Sequence, residues 1–355
     1  MIRRRTFFKA GAVAAFGSLL PRIGDAAGIG QPAANARLFE VTTTVDMAAP
    51  EAGMQLWLPL FQSAGGYQKL VGVRWESDAA VRVTRDPAFG ASVLHARWAK
   101  GDAPQKIAVV QRVATWDRAI GDASPPVTSA EREFWTRPSA TIPTKGIVRD
   151  TARRILGDAR DPKAQARAIY DWVVATTWRD PQTAGCGTGD IVTMMRDKKF
   201  GGKCVDINAL MVGLCRAAGI PAREIYGVRL ASSARFKSLG RAGDVTGGQH
   251  CRAEIFLEEA GWFPVDPADV RKAVLEEKLP VDSAPIVQLA NDLFGGWEGN
   301  WGGYNSANGI RLAGAPRSPS FPFLMYPCAM SDKNSPNCLD AGKFAYRIAS
   351  AEVTA

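Results

Sequence analysis

Histidine is almost missing from this sequence: there are two in 355 residues, His95 and His250. A reaction that needs an imidazole base therefore has at most two candidates. The six cysteines, Cys186, Cys204, Cys215, Cys251, Cys328 and Cys338, include no C-x-x-C pair. With so few histidines beside them, the donor set of a zinc site is not assembled. No loop follows the D-x-[DN]-x-[DN]-G calcium pattern, so independence of metal is expected and no cofactor is implied. No basic run of five or more occurs beyond the N-terminal region, which removes the footprint of a nucleic-acid binder. A long apolar run is lacking too. The stretch Ala10 to Leu20 holds about 11 residues, short of the roughly 20 that span a bilayer as a helix.

That short run has a meaning of its own. Arg3, Arg4 and Arg5 precede it with Phe7, Phe8 and Lys9, and small residues follow at Gly24, Ala26 and Ala27. A charged start, a short apolar middle and a small-residue cleavage zone make residues 1–27 a signal peptide. The Arg-Arg pair before Phe-Phe-Lys resembles the twin-arginine type, with an ordinary secretory signal as the alternative. The expected location is periplasmic or secreted, with no stable membrane span after cleavage; left uncleaved, the segment would be an anchor. Without residues 1–26 the formal charge falls from +9 to about +5, 39 basic against 34 acidic residues. Export permits disulfides. Cys328 and Cys338 flank the polar loop Ser331 to Asn337 and form the expected pair, worth about 2–3 kcal/mol in the chain-entropy model, which leaves Cys204 as a thiol.

From about Leu38 to Val113 apolar residues alternate with polar ones. Phe39, Val41 and Val45 do so, then Met54, Leu56 and Leu58, then Val71, Val73 and Trp75, with further short runs near 81–84, 92–98 and 107–113. Period two with frequent turn residues predicts a β-sandwich over residues 36–121. His95 falls inside one of these strands, where a structural role is expected. Residues 122–145 carry four prolines and read as a linker. Helical spacing then begins. Asp161-Pro162 is an N-cap followed by proline at the first helical position, and Ala166, Ile169, Trp172 and Val173 share one face. The glycine-rich loop from Trp178 to Asp190 follows no strand and carries no Lys-Ser/Thr, so a phosphate loop is not indicated.

Gly201-Gly202 breaks the chain, and a helix is predicted from Cys204 to Ala218, stopped by Gly219 and Pro221. Cys204 thus sits in the first turn, where free N–H groups and the positive end of the helix dipole favour a thiolate. Lys203 adds a cation. Taken alone, Cys204 reads as well as a small buried hydrophobe. Forty-six residues on, His250 opens a strand, and 253–257 with 262–266 reads as a hairpin that Asp266 closes. An aspartate on one ring nitrogen would leave the other to serve the thiol. A symmetric turn puts Asp266 opposite Ala253, the wrong parity for His250, so a bulge or an irregular strand start is expected.

Taken in order, Gly202-Lys203-Cys204, Arg216 to Arg223, Gln249-His250 to Glu254, and Gly261 to Pro267 resemble the bacterial transglutaminase-like superfamily over roughly 147–272. The flanks are similar to its exported branch. The resemblance implies an α+β, papain-like core: a helix carrying cysteine packed on an antiparallel sheet carrying histidine and aspartate. It assigns residues 146–279 to that catalytic core and 280–355 to a C-terminal extension completing it. It implies Cys204, His250 and Asp266 as a catalytic triad, and peptide or protein amide bonds as substrate through a thioester on Cys204. Hydrolysis (protease or amidase) and cross-linking (transglutaminase) share that triad. Arg252 departs from the family pattern, in which tryptophan is frequent two residues after the histidine; an altered substrate groove is one consequence. The second oxyanion donor is left between Trp178 and Gln249. The run Gly295 to Tyr304 either lines a groove with aromatics or packs as an irregular loop. The rival to catalysis is an envelope binding or scaffold protein that retains this fold.

Overall fold

The computed structural model describes residues 36–47, 53–99, 105–119, 126–316, 320–339 and 344–354; the expected signal peptide lies outside them. Six strands come first: β1 (Arg37–Met47), β2 (Gln55–Pro59), β3 (Gln68–Glu76), β4 (Ala80–Arg85), β5 (Ser92–Arg97) and β6 (Gln105–Thr115). Their alternation is that of half-buried sheet. Phe39, Val41 and Val45 of β1 are buried while Thr44 and Asp46 are exposed. His95 is structural: its ring stacks on Trp57, centroids 4.9 Å apart, and its nitrogens are taken by Gln55 and Arg82.

Helix α1 (Ser129–Thr136) then forms within the stretch that reads as a linker, started by a Thr128–Glu131 capping box. Two more helices follow, α2 (Ile147–Leu156) and α3 (Pro162–Thr176). Asp161 caps α3, accepting from the Ala164 N–H at 2.7 Å. Short strands β7 (Trp178–Arg179) and β8 (Gly201–Gly202) pair in parallel on either side of α4 (Ile191–Arg196). Helix α5 (Cys204–Ala217) is next, then β9 (Ala222–Arg229), the two-residue β10 (Gly243–Asp244), β11 (Gln249–Leu257), β12 (Gly261–Val265), α6 (Pro267–Glu276) and α7 (Ala284–Asp292). The chain ends with β13 (Trp301–Asn305), β14 (Ile310–Arg311), β15 (Ser320–Phe321), β16 (Cys328–Met330) and β17 (Tyr346–Val353).

The site rests on the sheet β12-β11-β9-β13, antiparallel throughout, with α5 packed against β11 and β9. Every residue of α5 from Cys204 to Arg216 is buried. A helix enclosed on all sides must be apolar nearly all round, and Val205, Ile207, Leu210, Met211 and Leu214 meet that need. The extension from residue 280 divides its strands. Among its described strands only β13 joins this core sheet. β17 pairs along β1, with Thr43 opposite Ile348, and β16 pairs with β2, with Cys328 opposite Trp57. The sheets β10-β17-β1-β6-β3 and β16-β2-β5-β4 are therefore closed by strands from the far end of the chain. Phe39, Leu56, Val109, Leu210, Val228 and Ile255 belong to one continuous buried cluster.

The expected Cys328–Cys338 bridge is not formed; both thiols are free. Pairing with β2 carries Cys328 into a small apolar cluster around Trp57, whereas Cys338 packs against the main core. Different apolar surroundings hold the two side chains.

Candidate active site

Helix α5 begins under tight control. The Asp206 carboxylate accepts from the N–H groups of Lys203 at 3.0 Å, Thr188 at 2.9 Å and Gly189 at 3.0 Å. One buried side chain thus ties the first turn to the loop in front of it. Gly187 makes room for this. Its φ is +99°, and a Cβ there would lie 1.9 Å from Asp206 Oδ2, so no other residue fits. The same loop brings Cys186 to the helix start, where its carbonyl accepts from the Val205 N–H at 3.0 Å.

On the sheet, His250 Nε2 donates to Asp266 Oδ2 at 2.8 Å. Neither expected irregularity is present: β11 keeps one unbroken register with β9 and with β12. The β11–β12 turn has three residues, so Leu257 faces Gly261 and Ala253 faces Val265. One residue further, Asp266 comes level with Arg252, which shares a face with His250 because side chains alternate along a strand. Asp266 itself has left the ladder: it is the N-cap of α6, with φ −148° and ψ 74°. Its Oδ1 accepts from the Asp269 N–H at 3.1 Å. Asn208, one turn into α5 from Cys204, reaches across to the Cys251 carbonyl at 2.9 Å and to Asp266 Oδ1 at 3.4 Å. This joins helix to sheet.

Cys204 and His250 line one cavity of about 300 Å³, together with Cys186, Gln249, Tyr326 and four basic side chains. Cys204 is 2% exposed, His250 2% and Asp266 fully buried. The Cys204 thiol is held well below its ordinary range by hydrogen bonds from Cys186 and Cys251, then by the His250 ring, all against the effect of burial. Burial works against a charged His250, but the Asp269 and Asp266 carboxylates outweigh it and raise the ring's pKa. A thiolate facing an imidazolium is the state this arrangement favours. The Cys186 thiol is pushed up by its neighbour Cys204 and by burial, so it remains a donor.

Sequence reasoning missed several supports. Asp269 Oδ1 lies 3.3 Å from His250 Nε2 and pairs with buried Arg229 at 2.5 Å. Trp301 Nε1 donates to the His250 carbonyl at 2.9 Å, so the Gly/Trp-rich run packs behind the site as β13 and its tryptophans are buried. Arg252 is buried as well, its guanidinium 4.9 Å from the Trp301 ring centroid and 3.6 Å from Asp266. It does not line the cavity. Of the two oxyanion candidates, Trp178 is 45% exposed and lies outside the cavity wall. Gln249 lines the cavity, and its Nε2 is a buried donor with no partner among the described residues. His250, Asp266 and Asp269 are also close enough to hold a cation, but Arg229 and Arg252 already supply positive charge there.

A cysteine heading a buried helix, set against an antiparallel sheet that carries a histidine hydrogen-bonded to an aspartate, is the papain-like α+β arrangement of thiol sites. Residues 149–267 match the model of the transglutaminase-like superfamily. An uncharacterized protein of Haemophilus influenzae is 35% identical over 335 residues, 88% of this chain and 90% of that one. A solved structure of a candidate cysteine protease from Cytophaga hutchinsonii has a TM-score of 0.55 at 13% identity, covering 91% of this chain and 92% of its own. The periplasmic domain of TgpA from Pseudomonas aeruginosa gives a TM-score of 0.36 at 15% identity, covering 70% and 92%. Among the described residues no helix is long and apolar enough to cross a membrane.

Proposed function

We propose that the protein is an exported cysteine-dependent acyl-transfer enzyme that opens peptide or protein amide bonds through a thioester on Cys204. The observation that carries this reading is the single cavity where Cys204, His250 and the unpartnered amide of Gln249 meet, with Asp266 fixed on the far ring nitrogen. The thiolate attacks the amide carbon. His250 gives its proton to the leaving amine, and a thioester remains. Water or a primary amine then attacks, and His250 takes that nucleophile's proton. Asp266 holds the ring so that its other nitrogen faces the thiol. The oxyanion falls between the Cys204 N–H, unpaired by its place in the first turn, and Gln249 Nε2.

The test uses the mature protein and its Cys204→Ala variant with denatured protein as substrate, with and without an added primary amine, read by mass spectrometry. New peptide termini or amine-tagged side chains should form with the wild type and not with the variant. Identical product patterns from the two proteins would sink the proposal. Tagging in place of cleavage would identify the amine as the working acceptor.

A further inference from the structure

The cavity over Cys204 carries more positive charge than its thiolate needs. Arg179, Lys203, Arg229 and Lys272 line it, and among the described residues no carboxylate does. Arg229 is matched by Asp269. Arg179 and Lys272 share a single acid, Glu276, with Arg179 Nε 3.2 Å from it. Lys203 has no ion pair among the described residues; the neighbouring Asp206 carboxylate is occupied by backbone N–H groups and faces a different cavity. Among the described residues two positive charges are left over. A thiolate requires one counter-charge, and His250 supplies it. The arginine and lysine at the wall are partly desolvated, with side chains 17% and 14% exposed, so their field is screened less than that of surface groups.

On the reading that Cys204 is the nucleophile, we infer that the site takes an acyl donor with a carboxylate close to the scissile amide, that is, an acidic peptide. The carboxylate would lie against Lys203 and the Arg179–Lys272 pair while the scissile carbonyl meets Cys204. A wall of one sign around a concave site raises the local concentration of the opposite charge.

Two alkylating agents that differ in charge test this without any known substrate. Iodoacetate is an anion; iodoacetamide is neutral; both alkylate Cys204 and release iodide. The ratio of their rates cancels any change in the thiol itself. At low ionic strength this ratio at Cys204 should exceed that of a small neutral thiol by about tenfold or more. It should fall toward the free-thiol value in 1 M salt, where the screening length is ~3 Å. Lys203→Gln and Lys272→Gln should each lower it, and Glu276→Gln should raise it. The salt series needs no variant, so misfolding cannot hide the result. A ratio equal to that of the free thiol, and unmoved by salt, would overturn the acidic-substrate inference while leaving Cys204 a nucleophile. Failure of both reagents to label Cys204 would overturn that nucleophile and this inference with it.

Discussion

Asp266 serves two elements at once: its Oδ2 holds His250 at 2.8 Å while its Oδ1 caps α6 through the Asp269 N–H at 3.1 Å. The orientation of the His250 ring and the initiation of α6 therefore share one carboxyl group. Asp266→Asn keeps an oxygen for the cap and a polar group near the ring. Asp266→Ala loses both. The alanine variant should lose about 10²–10⁴ of its activity and about 1 kcal/mol for the cap alone, while the asparagine variant keeps most of its stability and more of its rate. Steady-state rates and denaturant midpoints for the pair would decide. Equal activity losses in both would mean that the bond to His250 does not orient the ring.

The thiolate–imidazolium state makes a claim about pH. The folded Cys204 pKa is depressed and that of His250 is raised. Iodoacetamide labelling of Cys204 should therefore stay fast well below the ordinary thiol pKa of about 8.5. In His250→Ala the midpoint should move upward, since the ring's hydrogen bond and charge are gone. Peptide mass spectrometry across pH 4–10 would show it. Labelling that rises only near pH 8.5 in both proteins would mark an ordinary thiol and favour the binding-protein alternative.

Much of this site was legible in the residues. Gly-Gly before Cys204, the strand after His250 and the run ending at Asp266 each have local signatures, and all three reach the same place. The apparent parity conflict between His250 and Asp266 came from assuming the register of the hairpin. A three-residue turn shifts that register by one, and only the turn's own geometry reveals it. Asp269, Arg229 and Trp301 were not legible, because an ion pair across 40 residues and a donor 51 residues away leave no local pattern. The closing of the N-terminal sheets by β16 and β17 was hidden for the same reason. Cys328 and Cys338 misled in the opposite way. Nearness in sequence suggested a bridge, and strand pairing assigned them to different apolar clusters.

Behind His250, Arg229 and Asp269 form an ion pair whose side chains are 5% and 3% exposed. Burial alone would raise the Asp269 pKa, but Arg229 and then His250 overcome it and the carboxyl is held low. Asp269→Asn would leave Arg229 buried without its counter-ion, a loss of about 3–5 kcal/mol, measurable by urea denaturation at neutral pH. A folded pKa below the unfolded value adds stability above the unfolded pKa and loses it as pH falls. The gap between wild type and variant should accordingly shrink on acidification below about pH 4. A gap below 1 kcal/mol at pH 7 would mean that water reaches Arg229.

Glu224 makes the opposite case. It lies on β9 beneath the site, 4% exposed, bonded to the Tyr226 hydroxyl at 2.8 Å and near Cys251 Sγ at 3.6 Å. Burial pushes its pKa up to about 8, against the Tyr226 hydrogen bond and the Arg216 charge. The folded state then holds a proton that the unfolded chain releases near pH 4.3. Folded protein binds more protons throughout that window, so stability falls as pH rises from about 4.3 to 8. Glu224→Gln is neutral at every pH and lacks this slope. Compared with wild type, the glutamine variant should gain melting temperature steadily between pH 5 and 8 and level off above it. Both proteins would be melted across that range in buffers of matched ionic strength. A difference that is flat with pH would show that Glu224 is already ionised in the fold, with Arg216 as its counter-charge, and the floor of the site would then carry an anion beneath Cys251.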